Sequence, residues 1–205
     1  MLSTKFIIDA APRVYKLEKR FELIERDFGF PSFDPRDKGY LALKKTIIGQ
    51  QLSIASAAVI WRRFIDADIR DEEILNSQAD TQLRDLGLSR QKISYLKSLA
   101  ESGLDFDEME VMENQEVINV LTDIRGIGLW TAEIYIIFSL RRLDIFPAGD
   151  LALQEAAKHL LNLENRPSEK EMRKIAESWV PYRSVCAIIL WHFYRNLKSR
   201  ESTLW

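Results

Sequence analysis

A single cysteine, Cys186, in 205 residues excludes an internal disulfide framework and any iron–sulfur cluster held by four thiolates of this chain. Glycine and proline are also scarce, at 8 and 6 residues, which removes low-complexity and fibrous classes and leaves a globular, helix-rich chain. No apolar run approaches the ~18 residues that a membrane-spanning helix needs, and no signal-peptide pattern opens the sequence. A soluble intracellular protein without membrane contact is therefore expected, in cytoplasm or nucleoid if bacterial and in the nucleus if eukaryotic. A surplus of positive charge is missing as well: 29 Lys and Arg stand against 31 Asp and Glu, a formal net charge of −2. That balance is awkward for nucleic-acid binding, which usually draws on a basic surface, so any such role has to rest on where the cations lie.

What is present is helical periodicity. With 46% hydrophobic residues the chain is long enough to bury a sizeable interior, and no segment reads convincingly as a strand, which predicts an all-α fold. Residues 1–12 lack a clear period, and Pro12 suits the first turn of a helix running to about Asp27 with Val14, Leu17, Phe21 and Ile24 on one face. A loop over residues 29–39 leads to a helix from Tyr40 to about Ile48, which breaks at Gly49. The next helix follows Ser53, with Ala57, Trp61, Phe64 and Ile65 at helical spacing. Short helices are predicted near 72–75 and 81–86, and a longer one from Ser89 with Ile93, Leu96 and Leu99 facing in. An acidic stretch from Asp105 to Glu113 precedes a helix from about Asn114. Downstream, Ser168 and Glu171 form a capping-box start, and a strongly apolar last helix begins near Pro181.

The stretch from Leu121 to Gln154 carries the most information. Gly126-Ile127-Gly128 reads as a tight turn joining two helices, because glycines let the backbone turn sharply and come close to another surface. The helix that starts near Leu129 points unpaired N–H groups and the positive end of its dipole out of that turn, a site suited to an anionic oxygen. On its own the turn reads first as an ordinary helix–helix connection. Asp150, in Pro147-Ala-Gly-Asp, stands where a loop gives way to a helical run from Leu151 to Leu161, and an N-cap role fits it as well as a chemical one.

Taken together, the hairpin, Trp130, Thr131-Ala132 and Asp150 resemble the helix-hairpin-helix DNA glycosylase superfamily, and most of all its 3-methyladenine DNA glycosylase II branch. Ile47-Ile48-Gly49-Gln50-Gln51-Leu52-Ser53 and Pro181-Tyr182-Arg183-Ser184 leading to Leu190-Trp191 agree with it. The resemblance covers about residues 40–195. It implies two helical subdomains with the active site in the cleft between them: a single compact unit of 1–205 comprising a central helical subdomain over about 40–120, a hairpin and catalytic loop over 121–154, and C-terminal helices over 155–205 packing with the N-terminal helix. Larger bacterial members carry an extra N-terminal domain, so a compact form is expected here.

The same resemblance implies an activity and its residues. Asp150 would be the catalytic carboxylate that stabilises positive charge at C1′ as the glycosidic bond lengthens, and it would work ionised. Trp130 and Trp191 would line a base pocket, with Tyr135 and His192 as neighbours; an aromatic pocket attracts the cationic 3-methyladenine and 7-methylguanine, which leave without a protein acid. For Trp191, core packing is the alternative. DNA contacts would come from Gly126, Ile127, Gly128, Thr131 and Arg90 and from the joint Gln50, Gln51, Leu52 and Ser53, where Gln51 or Leu52 would fill the gap left by the extruded nucleotide. The branch usually places an apolar plug there, so Gln51 is a departure. Arg90 also follows a plain glycine C-cap and serine N-cap. Members that cut the strand carry a lysine nucleophile where this chain has Trp130, which implies a monofunctional, water-using enzyme. No cofactor would be required, and the backbone carbonyls of Thr122, Ile124 and Ile127 would hold a structural Na+ or K+. The partner would be double-stranded DNA containing damaged bases, bound by a monomer. A glycosylase for an oxidised or deaminated base and a non-catalytic DNA-binding protein remain the alternatives.

Overall fold

Small polar side chains placed just before apolar runs divide the chain into helices. Ser3, Ser53, Asp71, Ser89, Asp105, Asp150 and Ser168 each accept a hydrogen bond from a backbone N–H in the first turn that follows, satisfying donors that a helix start leaves without partners. The computed structural model describes residues 1–202, apart from the side chains of Ile54, Arg200, Glu201 and Ser202. Among the described residues there are thirteen helices and no strand, and no helix is long and apolar enough to cross a membrane.

In chain order these are α1 (Thr4–Leu17), α2 (Arg20–Phe28), α3 (Gly39–Gly49), α4 (Ile54–Asp66), α5 (Glu72–Ser77), α6 (Asp80–Asp85), α7 (Arg90–Ala100), α8 (Phe106–Val111), α9 (Asn114–Thr122), α10 (Leu129–Phe138), α11 (Leu151–Leu161), α12 (Glu169–Glu177) and α13 (Arg183–Ser202). They form two units, one of residues 1–35 with 136 onward and one of residues 36–135. The segment 121–154, grouped by sequence as one piece, is divided by this boundary: the hairpin belongs to the second unit and the Asp150 loop to the first.

In the first unit α13 packs on α11, α2 and α1. Its core centres on Trp179, which meets Phe21 and Phe146 edge-on at 5.4 and 5.3 Å, and apolar burial of this kind supplies most of the stabilisation. The amino-terminal helix differs from the sequence expectation. It begins at Thr4, not Pro12, and Pro12 lies inside it. Ile7, Ala10, Ala11 and Val14 form the buried stripe; two alanines carry half of that face, which makes its period faint. Leu17, expected on the buried face, is exposed as the helix ends.

In the second unit α3 packs on α4 and α7, and α7 also on α5 and α6. Leu43, Ile47 and Ile48 of α3 meet a core that includes Phe64, Leu75, Leu83, Ile93, Leu96 and Leu99. On α4 the expected face is only partly buried, since Phe64 is enclosed and Ile65 exposed. The acidic stretch contains a helix of its own, α8, because Asp105 caps it and Met109 is its buried anchor.

Two charged side chains, Lys44 and Glu133, are buried inside this unit. Lys44 is 1% exposed; its Nζ donates to the carbonyls of Ile69 and Arg70 at 2.7 and 2.8 Å and lies 5.2 Å from the Tyr40 ring centroid. Burial lowers its pKa from 10.5 to about 8, against the opposing pull of the Glu72 and Asp71 carboxylates. The folded chain therefore releases this proton before the unfolded chain does, and stability rises with pH between the two values. Urea unfolding of wild type and Lys44→Met from pH 7 to pH 10 is expected to show the wild type gaining on the variant above about pH 8, by on the order of 1–2 kcal/mol. A pH-independent difference between the two would contradict this account of Lys44.

Candidate functional site

Residues 144–150 leave the core as a loop, and the structure pins that loop at each end. Asp144 is gripped by Arg183 through a two-point ion pair, Nε to Oδ1 at 2.7 Å and Nη2 to Oδ2 at 2.8 Å. This contact raises the Arg183 pKa through the Asp144 hydrogen bond. Ser184 Oγ accepts from the Ile145 N–H at 3.0 Å and donates to the Ile145 carbonyl at 3.1 Å, so two adjacent residues at the start of α13 hold the first half of the loop. At its other end the buried Gln154 side chain donates to the Ala148 carbonyl at 2.8 Å, and the Asp150 N–H donates to the Pro147 carbonyl at 2.9 Å.

Asp150 ends this loop as the N-cap of α11. Its Oδ1 accepts from the N–H groups of Ala152 and Leu153 at 3.0 and 3.1 Å, and from Trp191 Nε1 at 3.2 Å. Three donors converging on one oxygen fix the plane of the carboxylate, which stays partly exposed. Trp191 is itself held. Its ring lies 5.6 Å from Phe138, which stacks on Phe33 at 5.6 Å and 13°. Trp191 thus packs in an aromatic row, the core alternative, and also touches the candidate catalytic group. His192 faces other partners: its Nε2 is 3.2 Å from the Phe28 carbonyl and 3.4 Å from Asn196 Nδ2. The ring ties α13 to the end of α2.

In the second unit, the hairpin between α9 and α10 is shaped by a glycine. Gly126 has φ +95°, and a Cβ there would lie 2.2 Å from Tyr95 Cγ, so the backbone rests directly on the tyrosine ring. Only glycine meets both conditions. Gly128 is different: its φ is not left-handed, and a Cβ would meet nothing within 4 Å. Nothing in the chain's own packing requires a glycine at 128, which leaves space just before α10 for a group from outside.

A cavity of about 460 Å³ opens beside this turn, lined by Gln50 and Gln51, by Ser89, Gln91, Lys92 and Tyr95, and by residues 122–128. Gln50 donates from Nε2 to the Gly126 carbonyl at 3.0 Å. Gln51 is exposed, with a left-handed φ of 55°, a conformation that costs a non-glycine residue energy and often marks a functional turn. Leu52 is exposed beside it, and Ser53 caps α4 through the Ser56 N–H at 3.1 Å. Thr122, the last residue of α9, and Ile124 and Ile127 beyond it all line the cavity, at a helix end where the dipole is negative. The Ile124 carbonyl accepts the Ile127 N–H at 3.0 Å.

Other expected residues are placed less simply. Trp130 is 43% exposed in the first turn of α10, whereas Thr131 and Tyr135 are buried. The Tyr135 hydroxyl accepts the Gly39 N–H at 3.0 Å, and burial raises its pKa, so this ring clamps the start of α3. Arg90 is exposed at the first position of α7, outside the cavity lining. Of the cations flanking the motifs, Lys44 is buried, Lys97 pairs with Asp80 and Lys92 donates to the Ile48 carbonyl at 2.6 Å, its pKa lowered by burial. Lys92, Tyr95 and Asp144 stand in no motif, and Arg183, within Pro181-Tyr182-Arg183-Ser184, and Gln154, at the end of the 121–154 stretch, have no role assigned there.

The family model described as HhH-GPD superfamily base excision DNA repair protein matches residues 45–182. A Bacillus subtilis protein named as a candidate DNA-3-methyladenine glycosylase is 32% identical over 165 residues, which cover 74% of this chain and 58% of that protein. The crystal structure of DNA-3-methyladenine glycosidase from Bacillus halodurans superposes with a TM-score of 0.82 at 33% identity, covering 91% of this chain and 89% of that one. The Schizosaccharomyces pombe 3-methyladenine DNA glycosylase in complex with abasic DNA gives a TM-score of 0.72 at 29% identity, covering 89% and 91%. With two thirds of its length matched and the hairpin and Asp150 inside the match, this chain belongs to the HhH-GPD superfamily of base excision DNA repair proteins.

Proposed function

We propose that this protein is a monofunctional DNA glycosylase that removes alkylated purines, 3-methyladenine and 7-methylguanine among them, from double-stranded DNA. The observation that carries the reading is the Asp150 carboxylate, oriented by two backbone N–H groups and the Trp191 indole. Related proteins named for 3-methyladenine, one of them bound to abasic DNA, support the substrate class and the partner.

The chemistry follows from charge. An alkylated purine is cationic, so the bond from C1′ to its ring nitrogen breaks with the electron pair passing to the base, which leaves neutral. Positive charge then develops on the sugar, and a fixed carboxylate stabilises it without reorganising during the reaction. Water adds to C1′ and yields its proton to the carboxylate or to solvent. The damaged nucleotide must leave the stack for this to happen. Trp191, beside Asp150 in the first unit, offers an aromatic face to a cationic base, and Trp130 is an exposed aromatic of the second; Tyr135 supports α10 through its bond to Gly39, and His192 supports α13 through its contact with Phe28.

DNA is held at the hairpin. A phosphate oxygen approaches the first turn of α10 over Gly128, where the missing Cβ leaves room, and Gln51 or Leu52 fills the gap in the duplex. Arg90 and Ser53 lie beside this surface, and the buried Thr131 acts through the helix it stabilises. A Na+ or K+ on the carbonyls of Thr122, Ile124 and Ile127 would add positive charge facing the phosphate.

Mass-spectrometric survey of the bases released from methylated genomic DNA tests the proposal directly. Free 3-methyladenine and 7-methylguanine are expected, leaving an abasic strand that breaks only on alkali or heat, with no adduct trapped by borohydride. Release of other bases alone, or robust trapping, would overturn it.

The two glycines should separate by role. Gly126→Ala drives a Cβ into Tyr95 and is expected to destabilise the unit by several kcal/mol. Gly128→Ala should leave thermal stability within about 0.5 kcal/mol yet weaken duplex binding about tenfold. Calorimetry and fluorescence anisotropy check the pair, and undiminished binding by Gly128→Ala would remove the phosphate from this position.

A further inference from the structure

Around the cavity, hydrogen bonds and one ring contact form a closed circuit inside the second unit. Lys92 of α7 donates to the Ile48 carbonyl at the end of α3 at 2.6 Å. Two residues on, Gln50 donates to the Gly126 carbonyl at 3.0 Å, and Gly126 lies against Tyr95, one turn along α7 from Lys92. The joint between α3 and α4 is thus tied to α7 on one side and to the hairpin on the other. Within it the Leu52 N–H closes on the Gly49 carbonyl at 3.2 Å, and the residue left between is Gln51, held at φ 55° with its side chain exposed. A left-handed non-glycine residue persists only where its surroundings over-determine it. The two tethers supply that constraint.

We infer that Gln50 and Lys92 are positioning residues, which set Gln51 against the phosphate-binding hairpin so that gripping the backbone and filling the gap in the duplex occur in one register. Neither needs to touch DNA. Gln50 donates its amide N–H to the hairpin carbonyl, and Lys92 donates to Ile48. The inference rests on the DNA-glycosylase reading for its substrate but not on excision, because positioning can be read from binding alone.

The test is a double-mutant cycle on full-length protein. Gln50→Leu and Lys92→Met keep side-chain bulk and remove the donor; Gln51→Ala removes the side chain they position. Affinity is measured for an undamaged duplex and for one with an abasic-site analogue, with 2-aminopurine beside the gap reporting its filling, after circular dichroism shows each variant folded. Gln50→Leu and Lys92→Met are each expected to weaken abasic-duplex binding about five- to tenfold more than undamaged-duplex binding, the worth of one hydrogen bond, and to raise the 2-aminopurine signal. In the Gln51→Ala background the same changes should add little, since residues acting through one group are not additive. Equal losses on both duplexes, losses that add fully to Gln51→Ala, or no loss would overturn the inference. A failure of the glycosylase reading would instead appear as absent base release with this binding pattern intact.

Discussion

The convergence of three N–H donors on Asp150 Oδ1 is the constraint on which the first unit's contribution depends. A carboxylate useful to an oxocarbenium-like transition state has to be oriented before the charge develops, since reorganisation at that moment would consume the benefit. Here orientation is obtained at little structural cost, because the same oxygen that caps α11 also receives the indole of Trp191. Capping and orientation are one arrangement. Much of the unit serves it: Arg183 and Ser184 fix the loop at Asp144 and Ile145, Gln154 fixes it at Ala148, and the row from Phe33 through Phe138 sets the plane of Trp191.

In the proposed reading the second unit meets a different problem, that of holding a polyanion with a chain of net charge −2. Its cavity draws on backbone geometry more than on side-chain charge. Gly126 presses on Tyr95, Gly128 leaves the start of α10 uncovered, and Lys92 is spent on a carbonyl. Helix-terminal N–H groups carry partial positive charge that no count of lysines reveals, which is how an acidic chain can still offer a phosphate site.

How far this was legible in the sequence depends on the kind of interaction. Ser53, Ser89, Asp150 and Ser168 cap the expected helices because capping is local, between residues three apart. Gly126-Ile127-Gly128 was legible as a turn, but not that one glycine answers to Tyr95 and the other to nothing in the chain. Pro12 misled, since a proline that usually opens a helix sits inside α1; the acidic run concealed α8 in the same way. Nothing local marks Lys44 as buried, because its partners are the carbonyls of Ile69 and Arg70, some 25 residues away. The contacts that orient the site, Trp191 to Asp150 and Arg183 to Asp144, span 41 and 39 residues, and no periodicity encodes such pairs.

The central claim is that the Asp150 carboxylate supplies charge, with its geometry supplied by the neighbours. Asp150→Asn isolates the two, because the amide oxygen can still accept from Ala152, Leu153 and Trp191 while the negative charge is gone. The decisive measurement is the single-turnover rate of 7-methylguanine release by this variant, at a concentration that saturates an abasic-analogue duplex. The account predicts a fall of at least about a hundredfold with abasic-duplex binding unchanged or tighter. Wild-type release by the folded variant, or release and binding lost together, would contradict it.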